Sequence, residues 1–205
     1  MSSSQSNDPA EKRTGIRDVT GVILLGGKST RYGKNKAFVE VCGIPLIERV
    51  VSAMRSVFEH VMLVTNDPRE YAYLELPMVE DLIKGLGPIG GVYTGLKTVP
   101  GKAGFFVACD MPFLNTSLIR YMVASKAGYD VVVPKIDWMI EPLHALYTKK
   151  CIPAIKKLID TGQLQIIKFL SEVNTLYVDE AQIRAFDPHL KCFLNINKPK
   201  DLPMT

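Results

Sequence analysis

The chain has 205 residues, 47% of them hydrophobic, and a formal net charge of +4. That length suits one α/β core and is short for two, and the mild basic excess suits a small anion rather than the dense basic face of a nucleic-acid binder. Its four cysteines, Cys42, Cys109, Cys151 and Cys192, form no C-x-x-C pair, and no apolar run approaches the roughly 20 residues of a membrane span, so a cytoplasmic protein with reduced thiols and no zinc site is expected.

Residues 1–18 are polar, have nothing to bury and read as a disordered tail. Residues 19–25 carry β-branched side chains without a polar break, the pattern of a central parallel strand covered on both faces. After a glycine-rich loop, residues 37–45 are short and bounded by turns, and Pro45 opens a helix to about residue 58. There Leu46, Ile47, Val50, Val51, Met54 and Val57 share one stripe. Strands are expected at 61–65, stopped by Asn66-Asp67-Pro68, and at 76–79, ending at Glu80-Asp81. A second glycine loop, 85–91, leads into a helix through Leu96. A buried strand at 104–109 ends in Asp110-Met111-Pro112. A helix over 115–126, a strand at 130–134, a further strand within 138–147, helices at 151–160 and 163–172, and late strands at 175–178 and 192–196 complete the reading, with Pro199 opening a terminal helix or turn. Strand and helix alternating in this way predict an α/β fold with a doubly wound, mostly parallel sheet, whose ligands sit beyond the carboxyl ends of the strands.

Gly26, Asn66, Asp81 and Asp110 all fall just past expected strand ends. The first loop crowds Lys28, Arg31, Lys34 and Lys36 around Gly26, Gly27 and Gly33. Like charges repel unless an anion or water separates them, so bare amides and cations here predict a cradle for a nucleoside triphosphate. The spacing is neither a P-loop, whose first glycine would fall at Val22, nor a G-x-G-x-x-G dinucleotide fingerprint. Asp110 alone could be a cap or turn residue, but beside a triphosphate loop it becomes a candidate Mg²⁺ ligand, because hard cations combine carboxylate, phosphate and water oxygens. Asn66 and Asp81 are ordinary loop residues taken singly, although a carboxylate can accept from the N1–H and 2-amino group of guanine, donors that adenine does not offer together. His144 reads as a satisfied core histidine and Trp138 as core. Lys149, Lys150, Lys156 and Lys157 read as a solvated helix face.

The run Leu24-Leu25-Gly26-Gly27, then Arg31-Tyr32-Gly33, Lys36, Gly87-Pro88-Ile89-Gly90-Gly91, Asp110-Met111-Pro112 and Asn195-Ile196-Asn197-Lys198-Pro199, in that order, resembles the molybdenum cofactor guanylyltransferase family from about residue 19 onward. The resemblance implies one Rossmann-like nucleotidyltransferase domain over 19–205 that transfers GMP from Mg-GTP to molybdopterin and releases pyrophosphate, the product serving molybdoenzymes. It implies phosphate contacts from Gly26, Gly27, Arg31 and Lys36, with Gly87 and Gly90 in the substrate site and the metal on Asp110. Guanine contacts would come from Asn66, Asp81 and the main chain near Leu24, with Asn195 and Asn197 beside the pterin. Use of CTP, another phosphorylated acceptor, or non-catalytic GTP binding by a cofactor carrier are the alternatives. Leu25, Tyr32 and Asn35 stand where the family usually has Ala, Met and Asp. The stretch Thr161-Gly162-Gln163-Leu164-Gln165 lacks the arginine that would grip the acceptor phosphate in bidentate fashion, leaving Lys168 as a substitute.

Overall fold

Val19–Leu25 forms β1, and all seven residues are buried, as a strand with both neighbours and both faces covered must be. The computed structural model describes residues 15–26 and 35–196. After β1 come a two-residue hairpin, β2 (Glu40–Val41) and β3 (Ile44–Pro45), then α1 (Leu46–Val57), β4 (Val61–Thr65), β5 (Met78–Val79), α2 (Pro88–Thr98), β6 (Ala103–Ala108) and α3 (Thr116–Ala124). The second half supplies β7 (Val131–Ile136), β8 (Met139–Ile140), β9 (His144–Thr148), α4 (Ile152–Asp160), β10 (Thr175–Asp179) and α5 (Glu180–Arg184).

The main sheet runs β10-β7-β9-β6-β1-β4-β5, with β8 paired to β7. β1 lies parallel to β4 and β6, and β10 parallel to β7, whereas β9 is antiparallel to both β6 and β7. The carboxyl ends of β1, β4, β5, β6 and β7 therefore share one edge, and β9 starts at that edge. Two apolar layers sandwich the sheet. Ile23, Phe105 and Val107 pack with residues of α1 and α3 on one face; Val22, Leu24 and Phe106 pack with residues of α2 and α4 on the other.

Glycine lets α2 approach this closely. A Cβ on Gly95 would stand 2.5 Å from Cε1 of Phe106 and 3.2 Å from Cγ1 of Val22. In a free helix Gly→Ala gains about 1 kcal/mol, but overpacking costs roughly 1–3 kcal/mol, and the 2.5 Å approach to Phe106 puts Gly95→Ala at the upper end of that range, a net loss of about 2 kcal/mol. Urea denaturation would show this as a lower midpoint at unchanged slope; a variant as stable as the parent would mean that α2 can lift from the sheet without penalty.

Several expectations need correction. Residues 15–18, assigned to the tail, are tied to the end of α1: Ile16 donates to the Val57 carbonyl at 2.8 Å and accepts from the Glu59 amide at 3.0 Å. The strand expected within 138–147 is a hairpin plus a new strand, because Asp137 at φ 52° turns the chain back before β9 begins. Trp138 sits in that turn, 84% exposed, and is not core. Residues 166–172 coil as a 3₁₀ segment, Ile166–Glu172, not as an α-helix; Ile166, Ile167 and Phe169 all favour helix less than Leu170 does. The strand expected at 192–196 is absent. Lys191–Phe193 is a 3₁₀ turn, held by the Cys192 amide donating to Asp187 Oδ2 at 2.7 Å. Its apolar pattern reports burial of Cys192 and Ile196 without pairing.

Candidate active site

Lys36 begins a 3₁₀ turn, Lys36–Phe38, whose preceding residue is anchored from a distance. Asn35 Oδ1 accepts from the Ala37 amide at 3.1 Å, while its Nδ2 donates to Glu70 Oε2 and to the Tyr71 hydroxyl, both at 2.6 Å. An aspartate at this position would present a carboxylate to Glu70, so the Asn that departs from the usual family residue matches its partner here. Phe38 stacks on Tyr71 with centroids 5.4 Å apart, which fixes the turn further. Burial drives the Tyr71 hydroxyl up to about 12, so it stays a neutral partner.

At the β4–β5 end of the sheet, Asn66 and Asp81 clamp each other. Asn66 Nδ2 donates to Asp81 Oδ2 at 2.8 Å, and the Asp81 amide donates back to Asn66 Oδ1 at 3.2 Å. The other carboxylate oxygen, Asp81 Oδ1, is buried with no hydrogen-bond partner among the described residues. A buried acceptor left unpaired carries a desolvation penalty of roughly 1–3 kcal/mol, which a donor from a ligand would relieve. Next to this clamp, the Leu82 amide donates to Thr94 Oγ1 at 3.0 Å and ties the loop to α2.

Gly87 precedes α2 at φ 64°, ψ −147°, a region that glycine alone enters readily. Gly90 abuts Leu86, where an added Cβ would lie 2.9 Å from Leu86 Cβ, and a Cβ on Gly91 would press on the Leu24 side chain at 3.2 Å. The glycines thus bring the start of α2 against the end of β1. At Gly26 an added Cβ would meet nothing within 4 Å.

Asp110 follows β6 and is half-buried. Burial raises its carboxyl above the ordinary value, and the neighbouring Lys36 charge pulls it back down. Its carbonyl accepts from the Ile196 amide at 2.9 Å, while Ile196 packs with Val41 and Leu46. The segment carrying Asn195 is thereby pinned between the Asp110 turn and the β2–β3 hairpin. Burial, reinforced by Asp110, pushes the adjacent Cys109 thiol to about 12, so it is a neutral wall rather than a nucleophile. No group of three or more His, Cys, Asp or Glu that could hold a metal exists among the described residues. The donor chemistry at Asp110 is one carboxylate, which fits an ion that takes its remaining oxygens from phosphates and water.

Leu24, Gly26, Lys36, Asn66, Asp81, Gly87, Gly90, Asp110 and Asn195 therefore share the carboxyl edge of the sheet. Gly27, Arg31 and Asn197 lie outside the described residues. Lys168 donates to Gln163 Oε1 at 3.3 Å. Of the solvated lysines, Lys150 pairs with Asp130, Lys156 with Asp160 and Lys157 with Glu172.

His144 is buried, as expected, but not satisfied: neither ring nitrogen has a hydrogen-bond partner, and burial lowers its pKa to about 4. The neutral ring lies edge-on between Phe105 and Phe193, at 5.5 and 5.1 Å. The Asn35, Glu70 and Tyr71 anchor went unread because its partners are some 35 residues apart and only the fold joins them.

The family profile described as the MobA-like NTP transferase domain matches residues 21–175. The chain belongs to this family. It is a nucleotidyltransferase. A protein of Pelotomaculum thermopropionicum named as a probable molybdenum cofactor guanylyltransferase is 39% identical over 183 residues, covering 89% of each chain. A molybdenum cofactor guanylyltransferase of Syntrophotalea carbinolica is 36% identical over 185 residues, covering 89% of this chain and 88% of its own. Among solved structures, molybdopterin-guanine dinucleotide biosynthesis protein A of Archaeoglobus fulgidus superposes with a TM-score of 0.77 at 31% identity, over 89% of this chain and 94% of that one. The mixed eight-stranded sheet flanked by helices is the nucleotidyltransferase fold of this family. Among the described residues, no helix is long and apolar enough to cross a membrane.

Proposed function

We propose that the protein transfers GMP from Mg-GTP to molybdopterin, forming the guanine dinucleotide cofactor for molybdoenzymes and releasing pyrophosphate. Support comes from the names of the two relatives and from family membership. The observation that carries the choice of nucleotide is Asp81: one oxygen is held by Asn66 and the other is buried without a partner. A carboxylate so fixed suits the N1–H and 2-amino donors of guanine, with Asn66 setting its orientation and the main chain near Leu24 bounding the ring.

The chemistry is in-line attack by a terminal phosphate oxygen of molybdopterin on the α-phosphorus of GTP, with pyrophosphate leaving. A phosphate monoester has a second pKa of about 6 and is mostly ionised at neutral pH, so no general base is required. Lys36 and Arg31 neutralise the phosphates, and amides at Gly26, Gly27, Gly87 and Gly90 act as fixed dipoles. Asp110 would hold Mg²⁺, which supplies charge neutralisation at the phosphates when bound. The family resemblance assigns Asn195 and Asn197 to the acceptor side. Pyrophosphate release from Mg-GTP with molybdopterin, compared with other phosphorylated acceptors, tests the assignment, the alternatives mattering because the stretch Gln163-Leu164-Gln165 directly after Gly162 holds no arginine.

Thermal shift in Mg²⁺ with GTP, ATP and CTP tests the base. GTP should stabilise the protein most, and Asp81→Asn should weaken GTP binding roughly 10- to 100-fold while leaving ATP nearly unchanged, the range expected for losing charged hydrogen bonds. Greater stabilisation by CTP or ATP would remove Asp81 as the guanine reader.

A further inference from the structure

Glu141 connects β8 to β9 at the same sheet edge as Asp110. The pairing register sets Val107 opposite His144, and the Ala108 amide donates to the Leu143 carbonyl at 3.2 Å. Between Leu143, which stays beside Ala108, and Glu141 the chain makes a turn closed by the His144 amide on the Glu141 carbonyl, so Glu141 stands beyond the carboxyl end of β6 on the side of β7, where its amide is bound to Pro134. The 192–196 segment crosses the same corner: Phe193 packs on His144, Ile196 binds the Asp110 carbonyl, and Glu141 adds to burial and Asp187 in holding the Cys192 thiol up.

The Glu141 carboxyl is half-buried, and burial alone raises it above its ordinary value. It has no hydrogen bond or ion pair among the described residues. Its backbone, by contrast, is committed: the amide donates to Pro134 and the carbonyl accepts from His144. A half-buried carboxylate that no donor among the described residues occupies keeps its oxygens open to water and to the donors of a ligand.

The sheet order says which ligand. Along β9-β6-β1-β4-β5, the Asp81 clamp lies at the β4–β5 end, Asp110 follows β6, and Glu141 lies one strand beyond, on the side away from the nucleoside. Resting on the proposed transfer reaction, we infer that Glu141 is the acceptor-side specificity residue, its carboxylate receiving the N3–H and 2-amino donors of the pterin ring. A pterin carries the same 2-amino-4-oxo edge as guanine, so two carboxylates on opposite sides of Asp110 read the two halves of the product. The signal in the sequence was slight, a single acid before Pro142.

Fluorescence titration with 6-hydroxymethylpterin and with the matching lumazine, which has oxo in place of the 2-amino group, tests this directly. The parent protein should bind the pterin about tenfold more tightly than the lumazine, and Glu141→Gln should abolish that preference by weakening pterin roughly tenfold, the effect of losing one charged contact. The stabilisation by Mg-GTP should be the same in both proteins, which shows that the variant is folded. In turnover, Glu141→Gln should raise the acceptor KM with little change in kcat or in the KM for GTP. No pterin preference in the parent, or a preference retained in Glu141→Gln, overturns the inference. If the preference behaves as expected but no GMP is transferred, the proposed reaction fails and the pterin site stands; if transfer proceeds with the acceptor KM unmoved by Glu141→Gln, the reaction stands and the site falls.

Discussion

Asp110→Asn is expected to lower kcat roughly 100-fold or more, on the order of 3 kcal/mol, without unfolding the protein. The substitution keeps the shape of the side chain and the carbonyl that receives the Ile196 amide, and removes only the charge. Because burial raises the folded carboxyl above 3.8, the folded state binds that proton more readily than the unfolded chain. Stability is therefore lost as pH rises from the unfolded value through the raised folded one. Removing the charge should leave the midpoint of thermal unfolding unchanged or higher at pH 7 while turnover collapses. Steady-state pyrophosphate release and a melting curve on the same preparation check both halves. Near-normal turnover would remove Asp110 from the mechanism; a lost fold would show that its role is structural.

Such a group at the end of a buried strand is the kind of feature that sequence exposes. Val19–Leu25 and Val61–Thr65 match their expected bounds because a β-branched run between glycine or Asn-Asp-Pro punctuation leaves little freedom. The direction of β9 is different. His144, Leu146 and their neighbours alternate no differently in a parallel or an antiparallel strand, and the reversal depends on Asp137 adopting a positive φ without the glycine that usually announces it. α5 was missed although Asp179 and Gln182 form a capping box, because five residues are too few for a helical period to register.

The site divides in the same way. Gly26, Asp81 and Asp110 were legible as polar or glycine residues terminating apolar runs. What Asp81 does with its two oxygens depends on Asn66, fifteen residues earlier, reaching it across parallel strands. Hydropathy placed both His144 and Trp138 in the core, yet one is a buried imidazole without partners and the other stands in solvent at a turn. Composition tells which side chains can be buried; the hairpin at Asp137 decides which of them are.

Lys36→Ala should also reduce kcat roughly 100-fold or more, through loss of a preorganised positive charge on the transferring phosphates. Asn35 and its anchors hold the turn from the other side through the Ala37 amide, so the backbone should survive the truncation. A second consequence separates this from a general loss of structure. Lys36 is the charge that draws the Asp110 carboxyl down against the effect of burial. Without it Asp110 protonates at higher pH, and the acid limb of the kcat profile, where the carboxylate must be ionised, should move upward. Lys36→Arg keeps the charge and should leave that limb in place while recovering only part of the rate, since a planar guanidinium does not reproduce the position of an ammonium. A pH profile of residual turnover for the two variants decides the matter: an unmoved acid limb in Lys36→Ala would uncouple the lysine from Asp110, and full activity would exclude it from phosphate binding.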